Sequence, residues 1–351
     1  MQQRHINMRL LMIAAPVVLA MMVISQLHKR PKTVDSGYRP IMGTFARILV
    51  VAPNRPTALA CIEAGFAQQQ QVDGLMSTYR PDSEISIVNE EAYQRPVPVS
   101  PATFTVLQKA IEISRLSQGR FDVTVGPLIA LWRSAADANT PPLEEAISQA
   151  RASVGWEKLI LDPNTSTIRF TVANMKIDLG GIAKGYAIDR AVTAMRAAGG
   201  LGGMVDIGGD ICCFGTPPYG NAHWRIGLQD PRLENPAEQG QVLLTLKLND
   251  RAVATSGHYR RFTLIDGQRT SHIVDIDTGH GSHKLTSTTV IAPDALTADA
   301  LATAVSVLGQ TQGLALIEDL EGVEAMVIPP TEAKTILQPI FSTGAQAFLL
   351  E

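Results

Sequence analysis

The chain has 351 residues, of which 45% are hydrophobic and 18% are charged, and its formal net charge is −3. This apolar fraction is enough to bury a core that offsets chain entropy, which excludes a disordered protein. The small acidic excess argues against nucleic-acid binding, because phosphate binding needs a surplus of positive charge. The three cysteines, Cys61, Cys212 and Cys213, cannot form a disulfide framework, so the fold depends on its core.

Residues 1–33 have the pattern of a targeting segment. Arg4 and Arg9 precede the one long apolar run, at residues 10–24, and basic residues follow at 28–32. As a helix this run spans roughly 22 Å, less than the ~30 Å hydrocarbon core of a bilayer. That length fits a signal peptide or a short uncleaved anchor, with a buried core helix as the alternative. The segment predicts export of a single domain over residues 34–351, and it excludes a protein with many membrane spans.

The first half of the exported part predicts strands alternating with helices. Residues 45–51 predict a strand and residues 56–76 a helix. Ser100 followed by Pro101 is a typical start for a helix, which we expect to end at Gly119. A hairpin is predicted over residues 156–170, and a short strand over residues 175–177.

The second half continues the mixture. A helix is predicted over residues 182–198 and a half-buried strand over 242–248. Asp266-Gly267 predicts a tight hairpin between strands 261–265 and 268–274. A further helix is predicted over 296–308, ending at Gly309. Hairpins beside helices favour an α+β fold over a doubly wound parallel sheet.

Residues 177–189 are the densest group of chemically suggestive residues. A strand leads through Gly180-Gly181 into a helix that has Lys184 in its first turn. Glycines let backbone N–H groups approach a ligand, and a helix start favours anions. A phosphate-bearing ligand is therefore expected here. An ordinary tight turn is the alternative. A second glycine turn lies at residues 205–210. A purely structural role is the alternative to a functional one there.

Two oxygen-bearing side chains share one face of the last predicted major helix. Asp299 and Thr303 are four residues apart, so they lie one above the other. A carboxylate and a hydroxyl with a nearby main-chain carbonyl suit a hard cation such as Mg²⁺. The alternative is that Asp299 simply satisfies the helix dipole.

Among the histidines, His272 is the candidate base, because an imidazole on the predicted hairpin strand can accept a proton near neutral pH. His280 and His283 indicate a polar loop, with a zinc site as the alternative. The triplet Asp277-Thr278-Gly279 resembles that of aspartic proteases, but their chemistry needs two copies and only one exists.

Eight short motifs occur in a fixed order along the chain. They are Met42-Gly43-Thr44, STYRPDSEIS at 77–86 with Asn89, GRFDVTVGPL at 119–128, DLGGIAKGYAID at 178–189, DIGGD at 206–210, ATSG at 254–257, SHIVD at 271–275 with Thr278-Gly279, and ADALAT at 298–303. Together they resemble the FAD:protein FMN transferase family, also called ApbE, from about residue 38 to the C-terminus. The resemblance implies a single ApbE-like (T-fold-like) α+β domain with mixed or antiparallel sheets and flanking helices.

That resemblance also implies a function. Such enzymes are exported and Mg²⁺-dependent; they cleave the FAD pyrophosphate and attach FMN to a threonine or serine of an acceptor protein, releasing AMP. The implied FAD-site residues are Met42, Tyr79, Arg120, Phe121, Asp122, Asp178, Lys184 and Val274. The implied metal ligands are the Gly181 and Ala302 carbonyls, the Asp299 carboxylate and the Thr303 hydroxyl, and His272 is the implied base.

The implied partner is an acceptor protein, expected to be a membrane electron-transport subunit. The implied location is the periplasmic side of the bacterial inner membrane, or the periplasm if the leader is cleaved. Two alternatives remain: an FAD pyrophosphatase that uses water, and a non-catalytic periplasmic flavin-binding protein. The chain departs from the family pattern at Ile276, where proline is usual, and in lacking a lipid-anchored cysteine.

Overall fold

A computed structural model describes residues 31–232, 242–257, 262–330 and 337–350. The predicted leader lies outside the described residues. Within these ranges no helix has both the length and the apolar character needed to cross a membrane. The α-helices are α1 (Arg55–Met76), α2 (Glu84–Glu91), α3 (Pro101–Leu116), α4 (Gly126–Asp137), α5 (Glu144–Ala152), α6 (Ala183–Ala197), α7 (Ala295–Leu308) and α8 (Gln310–Glu318).

The strands form one large sheet and three small ones. They are β1 (Lys32–Ile41), β2 (Thr44–Ala52), β3 (Val97–Pro98), β4 (Leu159–Asp162), β5 (Thr167–Phe170), β6 (Gly202–Ile207), β7 (Asp210–Gly215), β8 (Trp224–Gln229), β9 (Val242–Leu248), β10 (Arg251–Gly257), β11 (Phe262–Ile265), β12 (Gln268–Ser271), β13 (Ser287–Ala292), β14 (Glu324–Ile328) and β15 (Ile340–Phe341). The large sheet has the order β1-β2-β6-β7-β10-β13-β14-β15, and all its neighbouring pairs are antiparallel. The predicted α+β class is therefore confirmed.

The large sheet buries both of its faces. Because side chains alternate along a strand, Ile48 and Val50 of β2 face the helices, whereas Leu49 and Val51 face the other way. The helix side forms the main core. The opposite side packs against the β8–β9 hairpin, whose Trp224 is buried there.

Local signals place several elements where the sequence predicts them. The Ser100 hydroxyl accepts the Thr103 N–H at 3.4 Å, and Pro101 opens α3 as expected for these residue types. Asp266 and Gly267 have φ of +49° and +73°, which suits the tight turn between β11 and β12.

Two local predictions were wrong. Residues 175–177 form no strand; only Lys176 makes a single parallel bridge, to Val125. The strand predicted over 268–274 ends at Ser271, because the following segment pairs with residues 280–282 instead of continuing beside β11. The helix predicted over 296–308 does end as expected: α7 stops at Leu308 with Gly309 as its C-cap, at φ of +85°, and α8 begins at the next residue.

Candidate active site

The Gly180-Gly181 turn is held from two sides. The Asp178 carboxylate accepts the Gly180 N–H at 2.8 Å, and the Asp178 N–H donates to the Val123 carbonyl at 2.8 Å. The Asn89 side chain bonds to both backbone groups of Ile177, the residue before Asp178. Its amide donates to the Ile177 carbonyl at 2.9 Å and accepts the Ile177 N–H at 2.6 Å. These bonds replace the strand pairing that residues 175–177 lack, and they fix where the turn enters α6.

Lys184, in the first turn of α6, lies between two buried carboxylates. Its Nζ is 3.0 Å from Asp299 Oδ1 on α7 and also forms an ion pair with Asp210 at the start of β7. The other Asp299 oxygen accepts the Gly185 N–H at 3.0 Å, and the other Asp210 oxygen accepts the Thr255 N–H at 3.1 Å. The side chains of Lys184, Asp210 and Asp299 are 17%, 7% and 4% exposed. The three groups thus form a buried charged cluster.

Burial and charge act against each other in this cluster. Burial raises the pKa of Asp299, and the Lys184 ammonium partly offsets this. Burial by itself would lower the pKa of Lys184, but Asp210 and Asp299 outweigh it and the pKa is raised. Lys184 therefore stays protonated at neutral pH and balances the carboxylates.

Two of the predicted metal ligands, Gly181 and Thr303, meet beside this cluster. A Cβ added to Gly181 would lie 3.1 Å from Thr303 Oγ1 and 3.4 Å from Phe121 Cε2, so the glycine turn touches the α7 face that carries Thr303. Asp299 lies one turn earlier on the same face. Within α7, the Ala302 carbonyl accepts the Ser306 hydroxyl at 2.9 Å.

These residues fit a hard divalent cation. The donors are a carboxylate, a hydroxyl and two carbonyls, which is the oxygen set that Mg²⁺ prefers. The Asp299 carboxylate is buried and already requires a positive charge beside it, which Lys184 supplies. Among the residues that the structure describes, no three His, Cys, Asp or Glu side chains come together, so the set depends on neutral oxygens beside Asp299.

The loop before α4 carries three of the predicted flavin-site residues, and they face different ways. Phe121 is buried against the Gly181 turn. Asp122 turns inward, where its carboxylate accepts the N–H groups of Thr124 and Trp156, each at 2.8 Å. Burial raises the pKa of Asp122, and these bonds oppose the rise. The Asp122 side chain thus holds the loop, while Arg120 forms an ion pair with Asp277.

Other predicted flavin-site residues belong to separate contacts. Tyr79 is 76% exposed, and the Arg133 guanidinium lies 4.7 Å from the centre of its ring. Met42, with φ of +49°, lies in the turn between β1 and β2 and packs against the main core. Val274 is buried and forms a bridge with Gly281.

His272 is exposed and lies just after β12, not on the strand as predicted. The loop that follows it is braced by α4 and α5. Trp132 donates its indole N–H to the Gly279 carbonyl at 2.7 Å, and Arg151 donates to the Ile276 carbonyl at 3.0 Å. The ring of His280 lies 5.6 Å from that of Trp132, centre to centre, and its Nε2 is 3.2 Å from Glu144 Oε1.

Comparison with known proteins identifies the group to which this arrangement belongs. The model of the ApbE family matches residues 42–327, which is most of the chain. The chain belongs to the ApbE family. The resemblance drawn from the eight motifs is therefore confirmed.

Similar ApbE proteins cover most of this chain. The FAD:protein FMN transferase of Vibrio cholerae serotype O1 is 37% identical over 252 residues, 71% of this chain and 73% of the relative. The enzyme of the same name from Klebsiella pneumoniae is 33% identical over 308 residues, 86% of this chain and 87% of the relative. The chain thus belongs to a family whose curated members are transferases.

Solved ApbE structures share the fold. The flavin transferase ApbE from Vibrio cholerae superposes with a TM-score of 0.77 at 32% identity, covering 91% of this chain and all of that one. The ApbE protein from Thermotoga maritima gives 0.79 at 29% identity, covering 92% of this chain and all of that one. The fold expected from the resemblance is confirmed.

Sequence reasoning missed the roles of three residues within the ApbE motifs. Asn89 clasps Ile177, and Asp210 shares Lys184 with Asp299. Asp189 accepts two N–H groups at the start of α7, and burial raises the pKa of its carboxyl to about 7. The available signal was a carboxylate or amide at a fixed place in each motif, but the partners are distant in sequence.

Proposed function

We propose that this chain is an Mg²⁺-dependent FAD:protein FMN transferase. The observation that carries the proposal is the junction of the Gly181 turn with α7. It gathers Lys184, Asp299 and Thr303 in a member of a family whose curated relatives bear that enzyme's name. A buried ammonium beside oxygen donors suits a pyrophosphate, which needs its charge neutralised before an oxygen nucleophile can approach.

In the proposed reaction an acceptor hydroxyl oxygen bonds to the phosphorus of the FMN half of FAD. The bond from that phosphorus to the bridging oxygen breaks, and AMP leaves with the bridging oxygen. The proton of the hydroxyl passes to His272, because a hydroxyl attacks poorly unless a base takes its proton. The exposure of His272 supports this role, since a protein acceptor must reach the base.

The residues proposed to hold Mg²⁺ are the carbonyls of Gly181 and Ala302, the Asp299 carboxylate and the Thr303 hydroxyl. When bound, the cation would neutralise pyrophosphate charge and orient the leaving group. The glycine turn lies beside the start of α6, and a helix start favours an anion. The Lys184 ammonium would help to neutralise the same pyrophosphate charge.

The remaining residues would bind the flavin nucleotide. Phe121, buried beside the Gly181 turn, offers an apolar surface, and Arg120 a positive charge. Asp178 keeps the turn in place by accepting the Gly180 N–H. Tyr79, with its exposed ring, is available to stack on a planar group. Further members of the proposed FAD site are Met42, Asp122 and Val274.

The partner and the location belong to the same proposal. The acceptor would be a protein with a threonine or serine to be modified, in keeping with an electron-transport subunit at a membrane. The apolar run at residues 10–24 supports anchoring at the periplasmic face of the inner membrane, or release into the periplasm after cleavage.

Co-expression with a candidate acceptor tests the proposal. We expect intact-mass spectrometry to show an acceptor heavier by one FMN less one water, and purified components to release one AMP per adduct in Mg²⁺. An acceptor whose threonine is replaced by valine should stay unmodified. Release of FMN and AMP without any adduct would establish the pyrophosphatase instead. FAD that stays bound and intact in Mg²⁺ would establish a flavin carrier.

A further inference from the structure

Helices α6 and α7 cap each other. At the start of α6, the Gly185 N–H has its bond to Asp299, which lies on α7. At the start of α7, the N–H groups of Ala295 and Leu296 donate to the two oxygens of Asp189, which lies on α6, each at 2.9 Å. Both sets of contacts lie where Gly185 of α6 meets Ala295 of α7. The first N–H groups of a helix lack partners within that helix. Here a carboxylate of α7 accepts one of them from α6, and a carboxylate of α6 accepts two from α7.

The two backbones also touch at this crossing. A Cβ added to Gly185 would lie 2.1 Å from the Ala295 carbonyl oxygen and 2.7 Å from Leu296 Cα. Such close approach lets neither helix tilt away without breaking contact. It does not by itself fix how far α7 is displaced along its own axis. The two carboxylate bridges, from Asp299 to the Gly185 N–H and from Asp189 to the start of α7, supply that constraint.

We propose that Asp189 is a positioning residue that sets the axial register of α7 against α6, and so places Asp299 and Thr303 opposite the Gly181 turn. Thr303 lies about two turns beyond Ala295, roughly 12 Å along the helix. Because a helix moves as a rigid rod, a shift at Ala295 is carried to Thr303. The Asp189 carboxylate bonds to backbone N–H groups of α7. The inference rests on the proposed function, since it assigns the metal site to Asp299 and Thr303.

A neighbouring carboxylate offers a matched control. Asp294 is the N-cap of α7 and accepts the Thr297 N–H at 2.7 Å. Like Asp189 it satisfies the start of α7, but it does so from within the same chain segment. Loss of Asp294 should weaken the helix start while leaving the bridge from α6 intact.

Mn²⁺ binding to the purified full-length chain tests the inference, with the free ion followed by electron paramagnetic resonance. We expect Asp189→Ala to weaken Mn²⁺ binding about ten-fold or more, as outer-shell changes do at metal sites. Asp294→Ala should cost similar thermal stability yet bind Mn²⁺ like the unmodified chain. Asp189→Asn keeps the shape and one acceptor, so it should fold and bind Mn²⁺ several-fold more weakly.

Unchanged Mn²⁺ affinity in folded Asp189→Ala, or in Asp189→Asn if the alanine variant does not fold, would overturn the inference. Equal weakening in Asp294→Ala would also overturn it, because helix capping alone would then explain the effect. Asp299→Ala separates the two proposals. If that variant binds Mn²⁺ like the unmodified chain, the metal site itself is wrongly placed and the proposed function loses its support.

Discussion

At Lys184, three charged groups share one small buried volume. Two carboxylates, Asp210 and Asp299, come from different parts of the chain and meet at one ammonium. Removing a partner from a buried ion pair is costly, because an uncompensated charge remains out of water. Lys184 is therefore expected to contribute to the fold as well as to phosphate binding.

We expect Lys184→Ala to lower the free energy of unfolding by about 3–5 kcal/mol at pH 7.5, measured by urea denaturation. The matched control is Lys109→Ala, which removes an exposed pair with Glu112, whose N–O distance is 2.9 Å. Exposed pairs contribute little, so the control should lose less than about 1 kcal/mol. Equal losses in the two variants would show that the buried cluster has no special energetic role.

The penalty in Lys184→Ala should depend on pH. Burial already raises the pKa of Asp299, and Lys184 lowers it, so removing the lysine raises it further. A carboxyl whose folded-state pKa exceeds its unfolded value destabilises the fold as pH rises between the two values. The loss should therefore be smaller at pH 4 than at pH 7.5. A loss that is the same at both pH values would contradict this account.

His272→Ala should abolish FMN transfer to an acceptor and leave FAD affinity nearly unchanged, because the proposed base touches the acceptor proton and not the flavin. Transfer is followed by adduct mass and FAD affinity by equilibrium dialysis. His283→Ala, another exposed histidine of the same region, is the control and should transfer normally. Loss of FAD binding in His272→Ala would show that the histidine supports the nucleotide site.

At the scale of elements, the junction of α6 with α7 decides the site. The helices lie so close at Gly185 that any side chain there meets backbone. Overpacking a tight contact typically costs about 1–3 kcal/mol, because the surrounding structure has to shift. At this junction such a shift would also displace Asp299, which bonds to the Gly185 N–H.

We expect Gly185→Ala to be destabilised by about 1–3 kcal/mol and to lose most of its Mg²⁺-dependent activity. Gly74→Ala is the control, since Gly74 lies in helix α1 and a Cβ there has open space. That change should stabilise the chain by about 0.4–1 kcal/mol through the unfolded state. Thermal unfolding and AMP release measure both effects, and equal behaviour of the two variants would refute the close contact.

For the whole molecule, the eight-stranded sheet is shared by two cores. Its helix side carries the Lys184 cluster, and its other side packs on the β8–β9 hairpin. The main core of the described residues begins at Val34, just after the predicted leader. The packing described within residues 31–350 is thus extensive without the leader.

Deletion of residues 1–30 should accordingly give a protein that fractionates with soluble proteins and keeps both its thermal unfolding midpoint and its FMN transfer. Sedimentation after cell lysis, with the full-length chain as control, measures the first property. A truncated chain that is soluble but inactive would mean that the leader takes part in the fold.

The local signals that proved reliable are those settled by a few neighbouring residues. Ser100 with Pro101 starts a helix and Asp266-Gly267 makes a turn, because the caps and positive φ angles are properties of those residues themselves. Residues 175–177 form no strand, and the backbone of Ile177 bonds to the Asn89 side chain instead. His272 lies beyond the end of β12, because the residues after Ser271 pair with residues 280–282 instead of extending that strand.

By itself the sequence determined the α+β class and the family. Those follow from periodicity, from turn and cap residues, and from motifs in a fixed order. Only the tertiary structure decided which carboxylates share Lys184, that Asp122 turns inward, and that Asp189 bridges to α7. The physical reason is that burial and charge pairing join residues between 26 and 115 positions apart, and their geometry depends on how the helices pack on the sheet.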